Sequence, residues 1–533
     1  MKVPDRFGTI GSELASTAEA HPDVEAVVDP FRRLTFAELA RRTDSIAAGL
    51  RRIGLQAGDP VLLQVGNRVE AVEGWYGIIK AGALPVCTLS AHGHYELEAI
   101  GNAIGARAHL VDGDVAGGRL LSLARDLRRS VPTLRYTFTA RGEAAQGDAD
   151  LANLAESDTA AGAPPPVTGD PDAIAVIQLS GGTTALPKPI PRRHAEYWYN
   201  ARATAERFDL RAGDRIAHVL PLVHNAGIHG ALHAAHSVGA TLLVADPQPA
   251  EFIPFLIAEK ADSIVLVPGL VISLLERPDF RDLVVSLRRL SLSAAAVPPA
   301  LFDSLEAMGV NVVQQFGMGE GFCTGTPIDA PREMRRDTVG FPLSPEDVFR
   351  VVDEGGGEVV EGEVGELQVK GPYTITSYLG GVGAASFTQD GFFRTDDLVR
   401  VRKVAGRRCL MVAGRIKDLI NRGGEKVNAE DLELLLLEVP GVEAAAAVGM
   451  PDARLGERTC VFIVPSKGAT VELGDLTRAL AARGVAKYKW PERMEVVDEL
   501  PRTPVGKVSK VRLRETIVAL MAAEVEGGGN APR

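Results

Sequence analysis

The 533-residue chain is poor in cysteine, in aromatics and in long apolar runs, and each shortage closes off a class of protein. Its four cysteines, Cys87, Cys323, Cys409 and Cys460, stand far apart with no CxxC pair, against a disulfide scaffold or a zinc site. The longest apolar stretch, 264–275, contains Pro268 and Gly269 and is too short to cross a bilayer. The opening MKVPDRFGTIGSEL has no apolar signal-peptide core. An excess of positive charge is also missing: 58 Lys and Arg face 69 Asp and Glu, a net −11. No broad nucleic-acid footprint is expected. The expectation is a cytoplasmic enzyme that engages neither nucleic acid nor membrane.

What is present is an ordinary globular balance, 46% hydrophobic and 24% charged, with 56 Gly and 33 Pro to punctuate it. At roughly 150 residues per domain, three or four domains or subdomains are expected. Helical spacing over 35–54 is followed by apolar strands that alternate with helices: PVLLQVGN, LPVCTL, ARAHLVD, IAVIQL (174–179), RIAHVLPL, GATLLVAD, SIVLVPG and NVVQQFG. Such alternation predicts an α/β fold with largely parallel sheets. Residues 141–172, rich in Ala, Gly, Asp and Pro, read as a surface loop. From about 345 the strands shorten, predicting a β-rich subdomain to 414. A small α+β domain is expected over 415–525, then a disordered tail, 526–533. The large N-terminal domain is thus 1–414.

The densest chemistry lies in LSGGTTALPK, residues 179–188, directly after an apolar strand. Small and hydroxylated residues leave backbone N–H groups free for a polyphosphate, and Lys188 adds a cation. Pro187 stands where a Walker A loop needs Gly, so this is not a P-loop. An ordinary Gly/Ser turn is the plain alternative. QQFGMGEG (314–321), GELQVKGPYTITSYLG (365–380), FFRTDDLV (392–399), GRIKDLINRGGEKV (414–427) and PRTPVGKVSK (501–510) follow. In that order they resemble the adenylate-forming superfamily of acyl- and aryl-CoA ligases, nonribosomal adenylation domains and luciferases. The likeness runs from about 35 to 515. Within it, the chain looks most like the 2,3-dihydroxybenzoate- and salicylate-activating aryl acid–AMP ligases.

The resemblance implies roles residue by residue. Ser180, Gly181, Gly182, Thr183, Thr184 and Lys188 would cradle ATP phosphates; Phe316 would stack on adenine; Asp397 and Arg415 would hold the ribose. Glu320 would bind Mg²⁺. Lys507 would be the catalytic cation, favoured over its neighbour Lys510, with His224 and Lys188 as further catalytic groups. His224, Asn225, Ala226, Gly230, Ala295 and Gly319 would form the acid pocket. Gly423 and Gly424 would line a pantetheine tunnel, and Lys417 would be the hinge of a mobile C-terminal domain. ATP, Mg²⁺ and coenzyme A are the implied cofactors, with an aryl carrier protein as the alternative thiol partner and a homodimer as a possible assembly. A non-catalytic ligand-binding protein on this fold is the rival from another class.

Four departures bear on that reading. Ala226 and Gly230 stand where these relatives carry Tyr and a small polar residue, which predicts a bulkier, substituted or bicyclic aromatic acid. Ala185 replaces a phosphate-loop Gly, and Asp396 replaces the Gly of Thr-Gly-Asp. Separately, His229, His233 and His236 share helical spacing; packed or pocket-lining side chains are expected over a metal site.

Overall fold

The computed structural model describes residues 3, 7–114, 118–142, 149–156, 169–180, 187–422, 425–452, 454–483, 485–503 and 506–528. Local signals set the first elements. Helix Phe36–Ile53 begins at a capping box, with Thr35 Oγ1 accepting from Glu38 N while the Glu38 carboxylate accepts from Thr35 N. It ends at Gly54, whose φ of +116° a side chain would resist.

Among the described residues the strands form four sheets. A seven-stranded sheet carries Pro60–Gln64, Leu84–Cys87 and Ala108–Asp112 in parallel, and Ile174–Leu179 extends it. A nine-stranded sheet centres on the parallel run Thr241–Val244, Arg215–His218, Ser263–Leu266, Arg289–Leu292 and Val312–Gly317. These strands are buried on both faces, which is why they read as continuous apolar runs. A four-stranded antiparallel sheet takes in Val348–Val352, Gly365–Lys370, Phe393–Val404 and Arg407–Arg415. A five-stranded sheet follows from Leu419–Arg422 onward, with helices Ala429–Leu437 and Leu473–Ala482 packed on one face. All four cysteines are buried and free. No helix, among the described residues, is long and apolar enough to cross a membrane.

Two expectations need correction. The segment 141–172 is not all loop: Ala149–Asp150 adds a strand and Leu151–Glu156 a helix, which bury Leu151 and Ala155 against helix Phe36–Ile53. Its low-complexity composition hid two apolar anchors. The tail is also shorter than expected, because helix Lys510–Gly528 carries on through 526–528. Elongation past a formed helix fixes one residue per hydrogen bond, so Gly is tolerated there. Residues 529–533 lie outside the described ones.

Candidate active site

The phosphate-loop motif spans a hairpin, since Ile174–Leu179 pairs antiparallel with Pro189–Arg193. Its neck is closed twice. Ser180 N donates to the Lys188 carbonyl at 3.0 Å, and Lys188 N donates to Ser180 Oγ at 2.9 Å. Gly181, Gly182, Thr183, Thr184 and Ala185 lie outside the described residues. Lys188 Nζ sits 4.9 Å from the Tyr378 ring centroid.

A second hairpin, Val312–Gly317 with Cys323–Gly325, carries Phe316, Gly319 and Glu320 at its tip. Phe316 is half-buried beside Met318 and the Ile190 cluster. Glu320 Oε1 accepts a hydrogen bond from the Tyr378 hydroxyl at 2.7 Å. Burial holds the Glu320 carboxyl above the usual carboxylate range, against the lowering effect of that bond.

Asp397 and Arg415 meet across neighbouring strands. Val404 and Arg407 are joined through Ala405 (φ +48°) and Gly406 (φ +77°), a tight hairpin that fixes the pairing. A bulge then shifts the register by one, so that Asp397 opposes Arg415 and not Gly414. Arg415 Nε donates to Asp397 Oδ1 at 2.8 Å. Burial raises the Asp397 carboxyl, with Arg415 and Lys507 opposing it.

Lys507 reaches the same place from the small domain. Its loop lies on the segment after strand Ser263–Leu266: a Cβ at Gly506 would come 3.5 Å from Val267, and one at Gly269 would clash with the Arg502 guanidinium. Thr503 N donates to the Lys507 carbonyl at 2.7 Å, and Lys507 N donates to Thr503 Oγ1 at 3.2 Å. Burial, then Arg415, pushes the Lys507 ammonium down to about 8, against Asp397 and Glu430. His224 faces the same cleft. Neighbouring protein groups, then the Lys507 charge, hold this solvent-open imidazole below its ordinary range, so it is neutral at pH 7. Lys510 is occupied elsewhere, with Nζ 2.9 Å from Glu433.

A pH dependence follows. A lysine with a depressed pKa is a cation below that pKa and neutral above it, so chemistry that uses the cation fails as pH rises. The kcat/KM, which reports groups of the free enzyme, is expected to fall as pH passes upward through about 8. The same profile for Lys507→Arg should lack that limb.

Asn225 opens a short helical turn capped by His224, followed by a π-helical turn at Ile228–Leu232. Its side chain is heavily committed. Oδ1 accepts from Arg192 Nη1 at 3.1 Å and from the Tyr197 hydroxyl at 2.8 Å, while Nδ2 donates to the Met318 carbonyl at 3.0 Å. One N–H remains to offer an acceptor. Arg192 also donates to the Gly319 carbonyl at 3.1 Å, tying Asn225 to the Glu320 hairpin. A Cβ on Gly230 would meet no atom within 4 Å, whereas one on Gly319 would press on Ile190 at 2.9 Å. Ala226 is half-buried; Ala295 is exposed, next to Ala294 at φ +72°.

The three histidines are packed. His233 Nε2 accepts from Trp75 Nε1 at 2.9 Å, and His236 bridges the Tyr76 hydroxyl and the Ala26 carbonyl. His229 Nδ1 lies 3.4 Å from Thr204 Oγ1. Among the described residues no cluster of three or more His, Cys, Asp or Glu could hold a metal ion.

Lys417 sits in the 3-10 turn Ile416–Asp418, with Nζ 2.9 Å from Asp396 Oδ2. Asp396 holds a φ of +61°, the left-handed conformation for which Gly is better suited. Gly423 and Gly424 lie outside the described residues.

Sequence reasoning passed over the supports. Arg192 is fully buried, paired with Glu196 at 2.9 Å and lying over the Tyr197 ring. The Arg-x-x-x-Glu spacing after the phosphate loop was the available signal, since an arginine buried near the end of a strand needs a charged partner, and Glu196 stands in the first turn of the helix that follows. Tyr378 lay inside a quoted motif without a role. Lys188, Lys507, Arg415 and the two carboxylates Glu320 and Asp397 thus gather around one cleft at the carboxyl ends of the parallel strands, where α/β folds bind ligands.

Comparison with known proteins gives the family. The model of the AMP-binding enzyme family matches residues 14–379, and that of the AMP-binding enzyme C-terminal domain matches 431–507. A 2,3-dihydroxybenzoate-AMP ligase of Bacillus subtilis is 37% identical, covering 96% of this chain and 94% of its own. A 2-hydroxy-7-methoxy-5-methyl-1-naphthoate–CoA ligase of Streptomyces carzinostaticus is 35% identical, covering 95% and 92%. The apo structure of MbtA from Mycobacterium smegmatis superposes with a TM-score of 0.72 at 38% identity, covering 96% and 95%.

Proposed function

We propose, from the premise that this chain belongs to the AMP-binding enzyme family as one of its aryl acid–AMP ligases, that its acid is bulky, substituted or bicyclic, and that it passes the acyl group to coenzyme A. Activation of an aromatic carboxylic acid to aryl-AMP by ATP is the activity of the group. The choice of acid and of thiol is the proposal.

The acid carboxylate attacks the ATP α-phosphate in line and expels pyrophosphate, and negative charge gathers on the phosphoryl oxygens. Lys507, in the cleft with Asp397, Arg415 and neutral His224, is assigned to neutralise the carboxylate and α-phosphate as their bond forms. Lys188, held at the neck of its loop, is assigned to the outer phosphates, and Asp397 with Arg415 to the ribose. Phe316 offers the adenine a ring. Mg²⁺ suits this donor set as an ion carried in by the polyphosphate, because Glu320 presents a half-buried carboxylate and, among the described residues, no all-protein cage accompanies it. When bound, it would withdraw charge from the phosphate oxygens. In the second step the thiol attacks the acyl carbon and AMP leaves, with Gly423 and Gly424 assigned to the pantetheine path and Lys417 to the hinge between the two poses.

The observation that carries the large-acid reading is the open space at Gly230 beside Asn225. The name of the naphthoate–CoA relative supports both a bicyclic acid and coenzyme A. Each extra CH₂ buried in an apolar pocket is worth about 0.8 kcal/mol, so kcat/KM should rise a few-fold per methyl until the space is full. Wild type should prefer a naphthoic acid to salicylate. Ala226→Tyr with Gly230→Ser should reverse that preference, and the Ser should matter chiefly for acids with an ortho-hydroxyl. A wild type that already prefers salicylate, or a ratio the double variant leaves unmoved, defeats the reading. Product analysis with CoA as the only thiol separates CoA from a carrier-protein acceptor.

A further inference from the structure

Tyr378 touches both charged groups proposed for the metal and the phosphates. Its hydroxyl donates to Glu320 Oε1 at 2.7 Å, and its ring lies 4.9 Å from Lys188 Nζ. The side chain is buried, 5% exposed. Phe387 and Phe393 meet the ring edge-on, at centroid separations of 6.0 and 6.3 Å and interplanar angles of 65° and 70°. The backbone at Gly383 closes over the same group: at φ +69°, a Cβ there would lie 3.0 Å from Tyr378 Cδ2 and 3.2 Å from Lys188 Nζ. Ile375 N donates to the Glu320 carbonyl at 2.9 Å, so the tyrosine's own segment is pinned to the glutamate's hairpin. A phenol held this firmly has little freedom to point elsewhere.

We propose that Tyr378 is a positioning residue for metal and nucleotide, its hydroxyl orienting the Glu320 carboxylate and its ring stationing the Lys188 ammonium. The physical ground is the directionality of the two contacts. A hydrogen bond to one carboxylate oxygen fixes the carboxylate plane and leaves the other oxygen to face a cation. Partners behind a metal ligand typically change metal affinity by about 10- to 100-fold. The ring face attracts an ammonium without supplying a counter-charge, which stations Lys188 near its point of use. The proposal rests on the reading of Glu320 as a metal ligand.

The two contacts can be separated by substitution. Tyr378→Phe keeps the ring and removes the hydroxyl; Tyr378→Leu removes both. The probe is Mn²⁺ binding, followed by electron paramagnetic resonance, to the full-length enzyme with α,β-methylene-ATP, beside binding of that analogue without metal. Tyr378→Phe should weaken Mn²⁺ retention by at least about 10-fold and leave metal-free nucleotide binding unchanged. Tyr378→Leu should also weaken metal-free nucleotide binding a few-fold, because Lys188 loses its station. An unchanged Mn²⁺ affinity in Tyr378→Phe overturns the proposal, as does an equal loss with and without metal, which is the mark of a merely structural role. Glu320→Gln distinguishes the two levels of failure. If it loses Mn²⁺ while Tyr378→Phe does not, the positioning role alone is wrong. If it retains Mn²⁺ like wild type, the metal assignment falls and the proposal with it.

Discussion

Replacing Lys507 with alanine is expected to slow aryl-AMP formation by at least on the order of 10²-fold, while thioester formation from supplied aryl-AMP is much less affected. A hundredfold loss is about 2.7 kcal/mol of transition-state stabilisation, the scale of one well-placed charge in a water-poor site. The structure gives reasons for the asymmetry. Lys507 stands in the cleft with Asp397, Arg415 and His224, and its pKa of about 8 reflects burial there rather than a solvated loop. Its hold on that place comes from loop contacts on Val267 and Gly269, which are broken if the small domain turns. On the proposed hinge, a group carried by the small domain serves the step for which that domain is docked. The check is pyrophosphate release beside acyl transfer from purified aryl-AMP. Equal losses in both would refute the assignment.

The second large effect is expected at Lys417, where proline should abolish overall turnover yet leave adenylation within a few-fold of wild type. Proline fixes φ near −65°, inside the range of the 3-10 turn Ile416–Asp418, and so favours the pose in which Lys507 occupies the cleft. Its ring also crowds Ile416 away from helical angles, which accounts for the few-fold reduction. Rotation about this residue would need angles the ring forbids, so thiol transfer should be lost. Asp396→Gly is the control for side-chain effects. It removes the ion pair to Lys417 Nζ, but both side chains are well exposed, and such a pair is worth roughly 0–1 kcal/mol. It should therefore not reproduce the proline phenotype. Unchanged turnover in Lys417→Pro would remove the hinge assignment.

Part of the architecture was legible because some elements carried their own boundary signals. Thr35 and Glu38 cap a helix that Gly54 ends, and the buried parallel strands announced themselves as apolar runs. Lys188, Glu320, Asp397, Arg415 and Lys507 are legible through the resemblance of their motifs to those of a family; taken singly, each is an ordinary charge on a loop or strand. Hidden anchors were harder: Leu151 and Ala155 sit in a low-complexity stretch, and nothing local says that they will be covered by helix Phe36–Ile53.

What the chain alone determined, then, was which charges are available and on which elements they ride. Which charges meet was decided only in three dimensions. Asp397 faces Arg415 because one extra residue near Ala413 shifts the strand register; without it, Asp397 would oppose Gly414, which has no side chain. That bulge is held from outside the sheet, by Asn428 Nδ2 donating to the Ala413 carbonyl and by Gly414 at φ +132°, whose absent Cβ makes room for the Asn428 amide. Arg192 reaches Asn225 and Gly319, and Tyr378 reaches Glu320, across sequence separations of 33, 127 and 58. A one-residue slip in a strand sends every side chain to the other face, so register is a property of the packed sheet and its neighbours, not of either strand's own sequence.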